Sequence, residues 1–266
     1  MITTGEISDR LYEHLLNKGG DFPVEEVRVG LNYLGVRLEG NRMGLAAVLR
    51  HELAPGCSIF GEAGSLSGSK ASVLLGRLVD GKNPLEKALG LATANAIIHP
   101  EATEGEKDTI ELINLTSMDR VVMIGLFRPL VPRIEKTGAF LSIIERNAAL
   151  MELPDQKARE KALKECTVAI ITATSILNNT IEDVLNGLEN PRHVVLLGPS
   201  TPMCGEAFKG TPVNHLGGSA LLDAGKIMRI VSEGGGTPAL RPYLRFVNML
   251  LKVTTQPLRH EVTKII

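Results

Sequence analysis

The sequence predicts an α/β protein in which a small α+β region precedes a doubly wound parallel sheet. Three observations carry that prediction. Residues 24–29, 33–39 and 43–49 are strand-like stretches too close together for a helix to intervene, as in an antiparallel meander. From residue 120 onward, apolar and partly β-branched runs at 120–124, 139–144, 167–172 and 194–197 are each separated by a helix-length segment, which implies right-handed crossovers and a parallel sheet. Between the two patterns, Pro100 and the charged EATEGEKD mark a boundary. Residues 1–101 are therefore expected as the α+β domain and 102–266 as the α/β domain.

Each element has a local cause. Ile7, Leu11, Leu15 and Leu16 recur at helical spacing, and Lys18-Gly19-Gly20 stops that helix. Gly40-Asn41 between the second and third stretches is a hairpin turn, and Leu34, Val36 and Leu38 alternate with Tyr33, Arg37 and Glu39, which predicts one core face and one polar face. A Gly- and Ser-rich loop at 51–68 holds Cys57 and Glu62; loops of this length are commonly functional or mobile. Helices follow at 71–79 and 84–98, the second opened by Asn83, Pro84 and Glu86 as a capping box. A fifth, weaker strand is expected at 213–220, then a helix at 223–233 closed by Gly234-Gly235-Gly236.

Composition removes several function classes. Lys plus Arg total 29 against 30 Asp plus Glu, a formal net charge of -1 with no long run of either sign, so the footprint of a nucleic-acid binder is missing. No apolar stretch approaches the ~18 residues that cross a bilayer, and the first residues lack a signal-like apolar region. A cytoplasmic protein with no membrane partner is expected, with homo-oligomer formation left open. Cys57, Cys166 and Cys204 are odd in number and far apart, which argues against a disulfide framework.

The most informative stretch is HVVLLGPSTPM at 193–203, an apolar run that breaks at a glycine and enters a polar turn. Thr201 reads as an N-cap and Pro202 as the first helical residue, so the amides of Met203 and Cys204 should point unpaired toward Gly198, Pro199, Ser200 and Thr201 and favour an anion. Cys204 would then lie in a first helical turn, where the dipole lowers a thiol pKa and suits a metal ligand or nucleophile; a small apolar filler is the plain alternative. Cys166 leads into a buried strand and is expected to pack.

Other constellations sit at strand ends. Thr174, Ser175 and Asn178 lie between the third strand of the parallel set and its helix, where ligands collect in open α/β sheets, and Asn179 with Glu182 resembles a cap pair. Glu145, at the end of the second strand, stands where a dinucleotide fold places its ribose-binding acid, but Leu126 and Phe127 occupy the place of the glycine fingerprint. Asn95 and His99 are one helical turn apart and could line a cleft or form a buried hydrogen-bonded pair. No Cys-x-x-Cys, His-x-x-x-His, P-loop, nucleophile elbow or Ser/His/Asp set is present, so no motif establishes a reaction and any metal cofactor would need ligands from distant segments.

Taken together, NPLEKALGLATANAI (83–97), LLGPSTPM (196–203) and SEGGGTPALRPYLRFVN (232–248) resemble the family described as "putative heavy-metal chelation", over nearly the whole chain. That resemblance implies an enolase N-terminal-like domain joined to a Rossmann-like domain, with a site in the cleft between them. On this chain the cleft would draw on the loop holding Cys57 and Glu62, on Asn95, on Thr174 to Asn179, on Gly198 to Thr201, and on Gly234 to Thr237, including Gly235 and Thr237. Three functions fit. One is binding of a small anionic or metal-chelating ligand in the interdomain cleft. Another is a nucleotide- or S-adenosylmethionine-dependent Rossmann enzyme acting on a metal-chelating metabolite, with Glu145 on the ribose. The third is a non-catalytic metal-handling module using Cys57 and Cys204 as soft ligands.

Overall fold

The computed structural model describes residues 1–19, 21–56, 58–100, 108–147 and 155–252. The N-terminal lobe runs α1 (Glu6–Gly19), β1 (Val24–Val29), β2 (Tyr33–Leu38), β3 (Arg42–Ala47), a 3-10 turn (Arg50–Glu52), α2 (Ala71–Asp80) and α3 (Pro84–Ile98). Just before helix α1, Thr3 donates its amide and hydroxyl to the Glu6 carboxylate at 2.8 and 2.9 Å. The three strands form an antiparallel sheet in the order β1-β2-β3. Gly40 and Asn41 turn the β2–β3 hairpin at φ 78° and 60°, the left-handed pair that matches the twist of the flanking strands.

The C-terminal lobe continues with α4 (Thr109–Ile113), β4 (Arg120–Ile124), α5 (Val131–Glu135), β5 (Phe140–Ile144), α6 (Gln156–Glu165), β6 (Val168–Thr172), a 3-10 turn (Ala173–Ile176) and α7 (Ile181–Asn186). It ends with β7 (His193–Leu197), a 3-10 turn (Gly205–Phe208), β8 (His215–Leu221), α8 (Ala224–Ser232), α9 (Thr237–Leu240), a 3-10 turn (Arg241–Tyr243) and β9 (Leu244–Leu250). Among the described residues the sheet has six strands in the order β5-β4-β6-β7-β8-β9, parallel up to β8 with β9 antiparallel. The chain moves from β4 outward to β5 and then back across β4 to β6. The switch point of the sheet is therefore the gap between the carboxyl ends of β4 and β6.

Two expectations are corrected. The outer face of the N-terminal sheet is not a polar surface: Tyr33, Met43 and Leu45 are buried against Ile227, Met228 and Val231 of α8, and a Cβ at Gly35 would lie 2.8 Å from the Met228 sulfur. The sheet is thus clamped, α8 on one face and α3 on the other, where a Cβ at Gly44 would lie 2.1 Å from the Ala92 carbonyl oxygen. Nor does a helix begin at Pro202. Thr201 donates its amide to the Gly198 carbonyl at 3.0 Å and Cys204 to the Pro202 carbonyl at 2.8 Å, and the helical turn that follows is the short 3-10 piece Gly205–Phe208. Tertiary bonds override the local start signal: Ala47 donates its amide to Ser200 Oγ at 2.9 Å, pulling the corner onto the end of β3.

Candidate functional site

A cavity of about 240 Å³ opens at the switch point, between the carboxyl ends of β4, β5 and β6 on one side and Leu49, His51 and Glu52 of the N-terminal lobe on the other. Its floor depends on Gly125, which ends β4 at φ 84°; a Cβ there would meet Thr172 Cγ2 at 2.8 Å. Glycine lets the two strand ends approach while the chain turns away. At the end of β5, the Glu145 carboxylate accepts the amides of Leu126 and Asn147, both at 2.8 Å, which ties together the loops after β4 and β5.

The end of β6 supplies hydroxyls. Thr172 Oγ1 lies 3.0 Å from Thr174 Oγ1 and accepts the Thr174 amide, while Ser175 donates its hydroxyl to the Thr172 carbonyl at 2.7 Å. Whichever threonine donates to the other, one hydroxyl proton of the pair is left over. Farther along the same turn, Thr180 donates to Asn178 Oδ1 at 2.8 Å, so the Asn178 amide nitrogen must face the other way. It donates to Glu52 Oε1 at 2.9 Å, linking the two lobes across the cavity rim, and His51 Nε2 stands 3.5 Å from that same oxygen.

Thr174, Ser175 and Asn178 are thus brought together with Glu145, and the remaining sequence candidates lie elsewhere. Asn95 is buried and donates through Nδ2 to the carbonyls of Leu45 and Ser200 at 2.9 and 3.0 Å, so Asn95 with the corner Gly198, Pro199, Ser200 and Thr201 forms a joint between the lobes. A second joint involves the triple glycine: Asn32 Nδ2 donates to the Gly234 carbonyl and Tyr33 pairs with the Thr237 hydroxyl, both at 2.7 Å, while a Cβ at Gly235 would collide with Ile230 at 2.3 Å. Glu62 is exposed and ion-paired with Arg77.

Neither expected helix N-terminus supplies donors to the cavity. Asn179 is no cap; at φ 54° it accepts the Lys87 ammonium at 2.6 Å, and Glu182 accepts the amide of Ile7 at the start of α1. Cys204 is buried, and burial pushes its thiol pKa up rather than down, which corrects the expected thiolate. It faces a different groove, with Lys18 and Arg42. Cys166 is buried and packs as expected. Cys57 lies outside the described residues.

Sequence reasoning missed Glu52, Thr172 and Arg146 as cavity groups. Thr172 could have been found by asking which strand ends flank the switch point. Glu52 had no signal, because its role depends on how the lobes dock. Among the described residues no group of three or more His, Cys, Asp or Glu side chains could hold a metal ion.

Fold and cavity define a two-lobed α/β protein with a pocket at the switch point of its larger sheet, shared with the smaller lobe. The chain belongs to the family described as "putative heavy-metal chelation": two models bearing that description match residues 12–98 and 108–250. It is similar to an uncharacterized protein of Methanocaldococcus jannaschii, 26% identical over 232 residues that make up 84% of this chain and 88% of the relative. Two solved structures of proteins of unknown function share the fold. The one from Pyrococcus horikoshii has a TM-score of 0.78 at 22% identity, covering 92% of this chain and 100% of its own. The one from Desulfitobacterium hafniense has a TM-score of 0.74 at 24% identity, covering 90% and 97%. Among the described residues no helix is long and apolar enough to cross a membrane.

Proposed function

We propose that this protein binds a small anionic or metal-chelating molecule in the interlobe cavity at the switch point, with any metal arriving as cargo on that molecule. One observation carries the proposal: the cavity is the place where strand ends of the parallel sheet, a spare hydroxyl proton and a carboxylate of the opposite lobe meet. The lack of a three-ligand group among the described side chains favours a metal held mainly by its own chelator. Thr172, Thr174 and Arg146 would contact the anionic part, and Glu52 would sense the molecule from the N-terminal lobe.

The nucleotide alternative is favoured by one feature, the place of Glu145 at the end of β5 beside β4. Against it, Leu126 and Phe127 crowd the turn where a pyrophosphate would need glycine. Native mass spectrometry of the purified protein tests the proposal. A small-molecule adduct is expected on the wild type and should be lost, or weakened at least tenfold, in the Thr172→Val/Thr174→Val double variant with melting temperature unchanged. Loss through Ser200→Ala instead would move binding to the joint and overturn the proposal. Retention of an adenine nucleotide that disappears in Glu145→Ala would favour the Rossmann-enzyme alternative.

A further inference from the structure

The charged groups of the cavity narrow the class of anion that it suits. Among the described residues, Glu52 and Glu145 line it from opposite lobes and Arg146 is the guanidinium that answers them, while His51 Nε2 stands 3.5 Å from Glu52 Oε1 at the rim. An anion seated between the lobes would meet a carboxylate on either wall, in a space where partial exclusion of water strengthens the repulsion. We propose that the ligand carries a positive centre beside its carboxylate, either a protonated amine or a chelated divalent cation, and that Glu52 and Glu145 select for it. This inference rests on the cavity being the binding site.

Geometry and exposure set the orientation. Arg146 is exposed at the mouth and takes the carboxylate end, whereas Glu52 and Glu145 are half-buried. Glu52 Oε1 holds one N–H from Asn178, and each oxygen of Glu145 holds one backbone N–H, so lone pairs remain on both groups for the N–H bonds of an ammonium. The Asn178 bridge keeps Glu52 turned to the cavity. The hydroxyl pair Thr172/Thr174 is neutral and accepts or donates, so it does not alter the charge balance.

A matched pair of probes isolates the positive centre. Iminodiacetate and diglycolate have the same shape and two carboxylates, but the first has a protonated amine where the second has an ether oxygen. Isothermal titration of the whole chain should show iminodiacetate binding at least tenfold more tightly than diglycolate. Replacing Glu52→Gln and Glu145→Gln together should bring the ratio to within about twofold, with melting temperature checked so that misfolding is not read as lost selectivity. Repeating both titrations with one equivalent of Ni²⁺, and with Ni²⁺ alone, distinguishes the sources: a nickel-loaded diglycolate that gains as much as the amine shows that a chelated cation serves equally. Diglycolate binding as tightly as iminodiacetate, with and without nickel, overturns the inference. If that binding is also lost in Thr172→Val/Thr174→Val, the cavity remains the site and only the selectivity claim falls. No measurable binding of any of these probes at millimolar concentration overturns the inference as well, and the adduct measurement above then judges the cavity independently.

Discussion

The two ends of the parallel sheet handle polar groups in opposite ways. At the amino end, the Asp119 carboxylate takes two bonds from Arg192 at 2.9 and 2.8 Å, one from the Thr116 amide at 2.8 Å and one from the Thr167 hydroxyl at 2.8 Å. Arg192 spends two more donors on the carbonyls of Ile113 and Asn114. Beside it runs a second chain in which Thr109 donates to Asn248 Oδ1, His215 Nε2 donates to the same oxygen, and His193 Nε2 donates to His215 Nδ1. At the carboxyl end, the Thr172/Thr174 pair keeps a spare proton, and Glu52 has a single bond to Asn178 on one oxygen. A polar cluster consumed by its own backbone is structural; one left with spare donors and acceptors on a cavity wall is available to a ligand.

The sharpest way to break the comparison is at Asp119. Removing this carboxylate in Asp119→Ala strands the Thr116 amide and the Arg192 guanidinium together, so a loss on the order of 3 kcal/mol is expected from urea unfolding, with probe binding in the cavity unchanged in the folded fraction. The Arg192 guanidinium, aided by the Thr116 amide and the Thr167 hydroxyl, holds the Asp119 carboxyl well below the usual carboxylate range. Its stabilisation is therefore complete above about pH 4 and is lost as the pH falls below that value, a limb the alanine variant should lack. A variant that unfolds like the wild type would mean that the amino end is not the structural end.

A smaller effect belongs to the histidine chain. Burial, with help from His215 and Arg192, lowers His193 to a pKa of about 4. A lowered histidine contributes stability that is complete above the ordinary value near 6.5 and lost as the pH falls from there toward 4, by no more than about 3 kcal/mol. In His193→Gln, whose amide can still donate to His215, that part of the acid limb should flatten while the Asp119 limb below pH 4 remains. An unchanged slope between pH 6.5 and 4 would remove the histidine chain from the structural ledger.

This contrast also explains what could be read from the sequence. Strands β4 to β8 were legible because a run such as Val194 to Leu197 fits only a strand buried on both faces, and helix-length connections then imply a parallel sheet, though not its strand order. Strand β9 was not, since its exposed positions, Phe246 and Leu250 among them, break the alternation that marks a half-buried strand. Thr174, Ser175 and Asn178, which line the cavity, were singled out from strand-end position alone, a local property. The GPSTP corner was misjudged for the converse reason: its polar residues serve a partner surface, Ala47 and Asn95, that no local pattern describes. Glu52 and the covered face of Tyr33 were hidden by the same lobe docking.

The finest test lies at the bridge between the lobes, where the carboxyl end is least committed. Asn178→Asp keeps the shape and the Thr180 bond but replaces the nitrogen that donates to Glu52 with an oxygen, 2.9 Å from another carboxylate. Asn178→Ala loses the same bond without adding charge. At pH 7 the aspartate variant should therefore be less stable than the alanine variant by about 1 kcal/mol, because the site is half solvated and the repulsion is screened. The gap should close as the solution is acidified, because repulsion between two carboxylates sharing one site drives one of them to take a proton. Equal melting temperatures for the two variants at pH 7 would show that Glu52 swings free into water when Asn178 is gone, and the rim would then be no bridge at all.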